Sequence, residues 1–412
     1  MPNLAINGGQ AIRTKPFSGW PVYGAEEEQG LREVLFKSKW GIGARVGKIA
    51  EFEEKFSRYH SAKFAISCVN CSVGLEVMLK AAGIGIGDEV IVPSYTFIAT
   101  ATAVLQCGAI PVFADIDTDT FLIDISKIKS LITKKTKAII PVYFAGAIPD
   151  MAEINKICQP QDIAVIEDAA QAHGAKRDGL YPGSFGLGAG FSFQYSKNMA
   201  SNEGGIILTN NEAFAESCRS KIWHGRRKDG LWYEHFELGS NYRLTELQAA
   251  VLLGQLGRLR EQTERRAENA AFLDKGIKSI EGFKATVAHP KQEIHARHLY
   301  IIRMDREYFS GISKDAVIKA INAEGLPAYP GYGFPLYKNP LFKDKKFGVF
   351  SGIEPLKSYD FQKISNPNSE QACLESIWFM QPLLLGENND MQDILSILEK
   401  VSQNREELRT SK

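Results

Sequence analysis

The sequence predicts an α/β protein: a mainly parallel central sheet flanked by helices, with a smaller C-terminal α/β domain. Three observations carry this. Seven short apolar runs recur between residues 64 and 210. Most are unbroken rather than alternating, as in strands buried on both faces. Helix-length amphipathic stretches separate several of them, the alternation that builds a parallel sheet. At 412 residues the chain is also long for a single core.

The strand candidates are FAISC (64–68), EVIVPSY (89–95), IPVFADI (110–116), AIIPVYF (138–144), IAVIED (163–168), GFSFQ (190–194) and GGIILTN (204–210). Helices are expected over SVGLEVMLKAAG (72–83) and AEINKICQ (152–159). GIGIGD (83–88) and GSFGLGAG (183–190) precede strands. A dinucleotide loop follows a strand and opens a helix, so both read as turns. TELQAAVLLGQLGRLREQTERRAENAAFLDKGI (245–277) reads as one long helix, with Leu247, Val251, Leu256 and Leu259 near helical spacing. HLYIIRM (298–304) and DAVIKAINAEG (315–325) follow. A last helix, MQDILSILEKVSQ (391–403), leads into a polar tail expected to fray. This places a large domain with an N-terminal arm at residues 1–260 and a smaller one at 261–412.

Composition narrows the function. Hydrophobic content of 44% and charged content of 24% are ordinary for a soluble globular protein. A net charge of +1 argues against nucleic acid or an anionic membrane as the partner. No run approaches the roughly 20 apolar residues of a membrane span, and the start shows no secretory h-region. Cysteines at 68, 71, 107, 158, 218 and 373 are scattered, which suits a reducing cytoplasm. Cys68 and Cys71 form a CxxC without a second pair or a His cluster. They read as half-buried thiols at a strand end, and no metal is expected.

Ligands of open α/β sheets collect outside the carboxyl ends of the strands, and four marked positions fall there. In SCVNCSVGLEV a strand gives way to a helix near Ser72, which is either its N-cap or a hydroxyl beside a bound phosphate. In IEDAAQAHGA, Asp168 ends a buried strand, where a carboxylate needs a cationic or strongly donating partner. It is either a structural acceptor or the partner of a ligand cation such as a protonated ring nitrogen, with Gln171 and His173 close enough to face the same ligand. Lys197 lies 29 residues later among Phe191, Phe193, Tyr195 and Met199. Burial there lowers its pKa and gives a usable neutral amine. In VPSYTFIAT, Tyr95 or Phe97 is either core or a ring that stacks on a flat ligand. A sheltered lysine with a carboxylate reachable across a cofactor is what a pyridoxal phosphate site needs.

The strings EVIVPSYTFIATA, PVFADIDTDTFLID, IEDAAQAHGA, FSFQYSKNMASNEGG and GSNYRLTELQAAVLLGQL resemble, in that order, the DegT/DnrJ/EryC1/StrS aminotransferases. These make amino sugars and aminocyclitols with pyridoxal phosphate. The resemblance implies the fold of their large domain and a role for each matching residue. Lys197 corresponds to the Schiff-base lysine, Asp168 to the partner of the pyridinium nitrogen and Gln171 to the residue beside the ring hydroxyl. Phe97 corresponds to the stacking aromatic. Ser72, Ser192 and the backbone N–H of Cys71 correspond to phosphate ligands. Asn241, with Arg243 close by, corresponds to a phosphate ligand given by the neighbouring subunit, which implies a homodimer with shared sites. Two departures stand out: Cys71 in NCS (70–72) replaces a glycine, and so does Asn202 in SNEGG, where Asn tolerates positive φ.

The opening GGQAIRTKPFSGWPVYG and the tail SIWFMQPLLLGENNDM resemble the branch of scyllo-inosose aminotransferases and 3-amino-5-hydroxybenzoate synthases. Tyr332 and Tyr337 then become substrate-pocket candidates. His224, Arg226 and Arg227 either guide an anionic substrate or form a solvated basic loop. The resemblance implies transfer of an amino group from glutamate or glutamine to a keto sugar or keto cyclitol. The alternatives are a dehydratase, a bifunctional amino-hydroxybenzoate synthase and a non-catalytic sensor on the same scaffold. A dehydratase of this family typically carries His in place of Lys197.

Overall fold

The computed structural model describes residues 3–36, 47–289 and 291–409. All seven apolar runs between 64 and 210 contain strands: β1 (Phe64–Cys68), β2 (Glu89–Pro93), β3 (Ile110–Ala114), β4 (Thr136–Ile139), β5 (Ala164–Asp168), β6 (Gly188–Ser192) and β7 (Gly205–Thr209). They form one sheet in the order β1-β7-β6-β5-β4-β2-β3. From β6 through β3 every pairing is parallel, and β7 runs antiparallel to both β6 and β1. The mainly parallel sheet follows from helical crossovers that bury both faces, hence the unbroken apolar runs. A second sheet of β8 (Phe283–Ala285), β9 (Leu299–Met304) and β10 (Ser376–Met380) is antiparallel throughout.

Two strand boundaries depart from expectation. β4 stops at Ile139 because Pro141 has no N–H to give the ladder. The chain stays beside β5 through one bridge, Val142 with Asp168. β6 begins inside the glycine run read as a turn. A Cβ on Gly188 would meet Phe214 Cε1 at 2.9 Å, and one on Gly190 would meet Met78 Cε at 3.1 Å and Cys71 Sγ at 3.2 Å. These glycines are strand residues that let the helix Cys71–Ala81 lie close against the sheet.

The long helix Glu246–Ile277 is capped by Thr245, whose hydroxyl and the Gln248 side chain form a capping box. Its core stripe is Ala249, Leu252, Leu256 and Leu259, whereas Leu247 and Val251 are only half-buried. Further on, Ala270, Leu273 and Ile277 pack into a second core around β8–β10. The helix therefore walls both cores. The line near residue 260 is crossed elsewhere too. Leu4 packs in the second core, while Leu336, Tyr337, Phe342, Phe347 and Phe361 pack on the first.

The described part of the polar tail, through Arg409, is held rather than frayed. Arg405–Arg409 forms a 3-10 turn with Leu408 buried, and Glu407 Oε2 accepts from Leu4 N at 3.1 Å. A deeper clamp lies at Glu324, which is fully buried. Its carboxylate accepts from Ala5 N (2.8 Å) and Ile12 N (3.0 Å) and pairs with buried Lys400 at 2.8 Å. Glu324→Ala would leave the buried Lys400 ammonium with the Gln10 carbonyl but without its counter-charge, which costs roughly 3–5 kcal/mol. Equilibrium denaturation should show that loss, and the double variant Glu324→Ala/Lys400→Met should recover part of it.

Candidate active site

The predicted residues collect along one edge of the sheet. β1 ends at Cys68, and the helix Cys71–Ala81 begins three residues on. Asn70 is its N-cap, accepting from Val73 N at 2.9 Å. Ser72 is therefore not the cap. It is exposed in the first turn, where helical N–H groups have no intrahelical partner and the dipole favours an anion. Gly205 makes room for this: a Cβ there would meet Asn70 C at 2.5 Å and Cys71 N at 2.7 Å. The two CxxC thiols are fully buried, not half-buried. Burial pushes Cys68 up to about 12 and Cys71 well up, the latter helped by the Asp168 charge. Both are thiols rather than thiolates near neutrality.

Asp168 ends β5 and is 5% exposed. Oδ2 accepts from the Thr100 hydroxyl at 2.8 Å and Oδ1 from Ala170 N at 3.2 Å. Burial raises its pKa, and these donors together with the Lys197 charge pull it back. Gln171 is buried nearby, its Oε1 accepting from Ala145 N at 2.7 Å. His173 is fully buried, with Phe191 and Phe193 ring centroids at 5.5 and 5.7 Å.

Lys197 follows β6 in a turn closed by its own N–H donating to Gln194 O at 2.9 Å. The side chain is half-buried, and desolvation lowers its pKa against the opposing charge of Asp168. Asn202 holds the following turn at φ 70°, as its replacement of glycine requires. Ser192 ends β6 and is buried. Phe97, beyond the end of β2, is 58% exposed and so presents a ring face. Tyr95 is core, packed on Phe121, Phe144 and Tyr332. Tyr332 packs edge-on against Trp378 at 4.8 Å, within reach of the Asp168 charge. Tyr337 lines no pocket. It is 3% exposed, donates to Glu370 Oε1 at 2.6 Å and accepts from Asn366 N.

Asn241 and Arg243 line a cavity of about 630 Å³ with Trp223, Arg226, Arg227 and Glu246. Burial and the neighbouring Arg226 lower the Arg243 pKa. Asn241 itself is exposed.

Sequence reasoning missed three residues beside the lysine and the carboxylate. Thr100 orients Asp168 from the helix Ala99–Leu105. Asn198, next to Lys197, donates to Ala296 O at 2.6 Å and meets His298 Nδ1 through Oδ1 at 3.2 Å. With the amide fixed by that carbonyl, His298 Nδ1 is the protonated ring nitrogen. No local pattern could pair residues 100 positions apart.

The edge fits a flat, cationic-ring phosphate ligand. Among the described residues no cation forms an ion pair with Asp168, an aromatic face stands open at Phe97, and an exposed hydroxyl sits at a helix start. A model of the DegT/DnrJ/EryC1/StrS aminotransferase family matches residues 21–353, and the chain belongs to this family. It is a pyridoxal-phosphate-dependent aminotransferase. An L-glutamine:2-deoxy-scyllo-inosose aminotransferase from Micromonospora echinospora is 33% identical, over 99% of this chain and 100% of that one. Another, from Streptomyces paromomycinus, is 32% identical over 97% of each. The crystal structure of 3-amino-5-hydroxybenzoic acid synthase matches 96% of this chain and 100% of its own at a TM-score of 0.84 and 28% identity.

In cofactor-free protein, Lys197 should be acylated at lower pH than surface lysines, as read by mass spectrometry of labelled peptides. Asp168→Asn removes an anion that favours the ammonium, so the labelling midpoint should move lower still. A midpoint near the ordinary lysine value would contradict the buried setting.

Proposed function

We propose that this enzyme moves an amino group from glutamine or glutamate to a keto cyclitol or keto sugar, with Lys197 as the group that shuttles the proton. The observation that carries the reading is a desolvated lysine and a buried carboxylate on the same sheet edge, each acting on the other's charge. The curated relatives act on an inosose with glutamine as donor, which supports a cyclitol acceptor and a glutamine donor here.

When bound, pyridoxal phosphate supplies an aldehyde carbon and a ring that draws electrons from an adjacent C–H bond. Asp168, oriented by Thr100 and Ala170 N, would keep a proton on the ring nitrogen. Phe97 would face the ring, Gln171 would serve the ring hydroxyl, and Ser72, Ser192 and the N–H of Cys71 would hold the phosphate. Lys197 Nζ, whose free-amine form desolvation favours, would take the proton from the donor's α-carbon and pass it to the cofactor's aldehyde carbon. Tyr332 lines the acceptor side of the cleft. In the return half the same groups act in reverse on the keto acceptor.

The working form is a homodimer in which Asn241 and Arg243 of each copy serve the other's site. The neighbouring loop supports it: Leu231, Trp232, Tyr233 and Leu238 are 74%, 77%, 77% and 90% exposed. Such an apolar run in water calls for a covering surface. A cytoplasmic location is supported by six free, buried cysteines. Among the described residues no helix is long and apolar enough to cross a membrane.

Lys197→Ala should abolish borohydride trapping of the cofactor and lower turnover at least a hundredfold. A persisting covalent adduct would overturn the lysine assignment. Mixing Lys197→Ala and Asn241→Ala chains should give hybrids with one restored site; verified hybrids without activity would exclude sharing. Enzyme carrying the aminated cofactor, offered inososes, keto sugars and nucleotide-linked keto sugars, should return the aldehyde absorbance fastest with an inosose.

A further inference from the structure

Arg266 is the odd cation of the interior. It lies on the long helix, fully buried, and among the described residues it forms no ion pair. Other interior arginines are matched to acids: Arg13 to Asp390 and Asp393, Arg177 to Asp150, Arg297 to Asp274 and Arg303 to Glu375. Arg266 Nε donates to Gln381 Oε1 at 2.8 Å, and one amino group reaches Gln262 Oε1 at 3.4 Å. Among the described residues its Nη1 has no acceptor, and neither does Nε2 of Gln381, also fully buried. Two buried donors without acceptors, one of them charged, are costly unless an anion arrives. Burial alone brings the guanidinium down to about 9, so it remains a cation at neutral pH.

The site adjoins the lysine turn. The guanidinium lies 5.6 Å from the centre of the Trp20 ring, and the Trp20 indole N–H donates to Tyr195 O at 2.7 Å, two residues before Lys197. His173 and His298 both feel the charges of Lys197 and Arg266 together. Trp20 belongs to a strap, residues 14–24, that is exposed or half-buried while the groups beneath it are closed to solvent.

We propose that Arg266, backed by the Gln381 amide, receives the α-carboxylate of the amino donor, and that Trp20 is the cover that moves aside to admit it. The inference rests on the aminotransferase reading and adds the residue that selects the donor. A guanidinium suits a carboxylate because its planar donors can meet both oxygens. The Trp20 ring lies over the same guanidinium as a cation–π partner. No bond is made or broken at Arg266.

The test compares L-glutamine with 4-aminobutanamide, the same donor without its carboxylate, on wild-type holoenzyme and on Arg266→Gln and Arg266→Lys. For Arg266→Gln, KM for glutamine should rise on the order of tenfold or more. The 4-aminobutanamide reaction and the keto-acceptor half-reaction should be unchanged, and Arg266→Lys should fall between. In cofactor-free protein, glutamine should change the tryptophan fluorescence, and the change should vanish in Trp20→Phe and Arg266→Gln. The inference is overturned if Arg266→Gln keeps the glutamine KM, or if it loses both donors and the acceptor half-reaction alike, as a merely structural residue would. If Arg266→Gln does not fold, Arg266→Lys decides by the same two ratios. Should the wild type transfer an amine from no amino acid, the aminotransferase reading itself falls, a different outcome from a glutamine-active wild type with an indifferent Arg266→Gln.

Discussion

Burial of one carboxylate governs the site. Asp168 ends the middle strand of a sheet whose neighbours are closed to water on both faces, and its hydrogen bonds come from a hydroxyl and a backbone amide. Neutral donors orient an anion without cancelling it. The remaining field falls on whatever occupies the cleft, so the position favours a protonated heterocycle. It also acts on Lys197, which desolvation drives toward the free amine while the carboxylate drives it back. The lysine stays reactive only while that balance holds. The β5–β6 pairing enforces it, fixing where strand and turn end relative to each other.

The sheet was legible because most of its strands sit in unbroken apolar runs, a pattern that burial on both faces produces. Asp168 and Lys197 stood out because a charge beside such a run has few uses, and the structure sets their charges acting on each other. Boundaries were less so. Pro141 cut β4 short through a missing donor, and Gly188 and Gly190 looked like a turn when their smallness serves helix packing. Ser72 was misread as a possible cap because Asn70, two residues earlier, takes that role. Tyr337 looked like a pocket residue in a Pro-Gly loop but closes a core hydrogen bond instead. Thr100, Asn198 and His298 left no trace, since their partners lie far away in the chain and no periodicity links them.

Two cores meet at this cleft without dividing the chain cleanly. The long helix contributes to both, and the stretch from Leu336 to Phe361 returns to pack on the first. His298 directly precedes β9 of the second sheet yet bonds the residue beside the lysine. Any shift of one core against the other would therefore be felt at the amine. The rigid spine of the helix limits how large such a shift becomes.

The clamp at Glu324 bears on biosynthesis. Backbone groups at Ala5 and Ile12 find their acceptor only once residue 324 has been made, and the neutralising ammonium of Lys400 follows later still. A nascent chain that has not reached residue 324 therefore leaves the segment around residues 5–12 unlatched. A protease sampling such chains would meet there a handle that the folded protein tucks away.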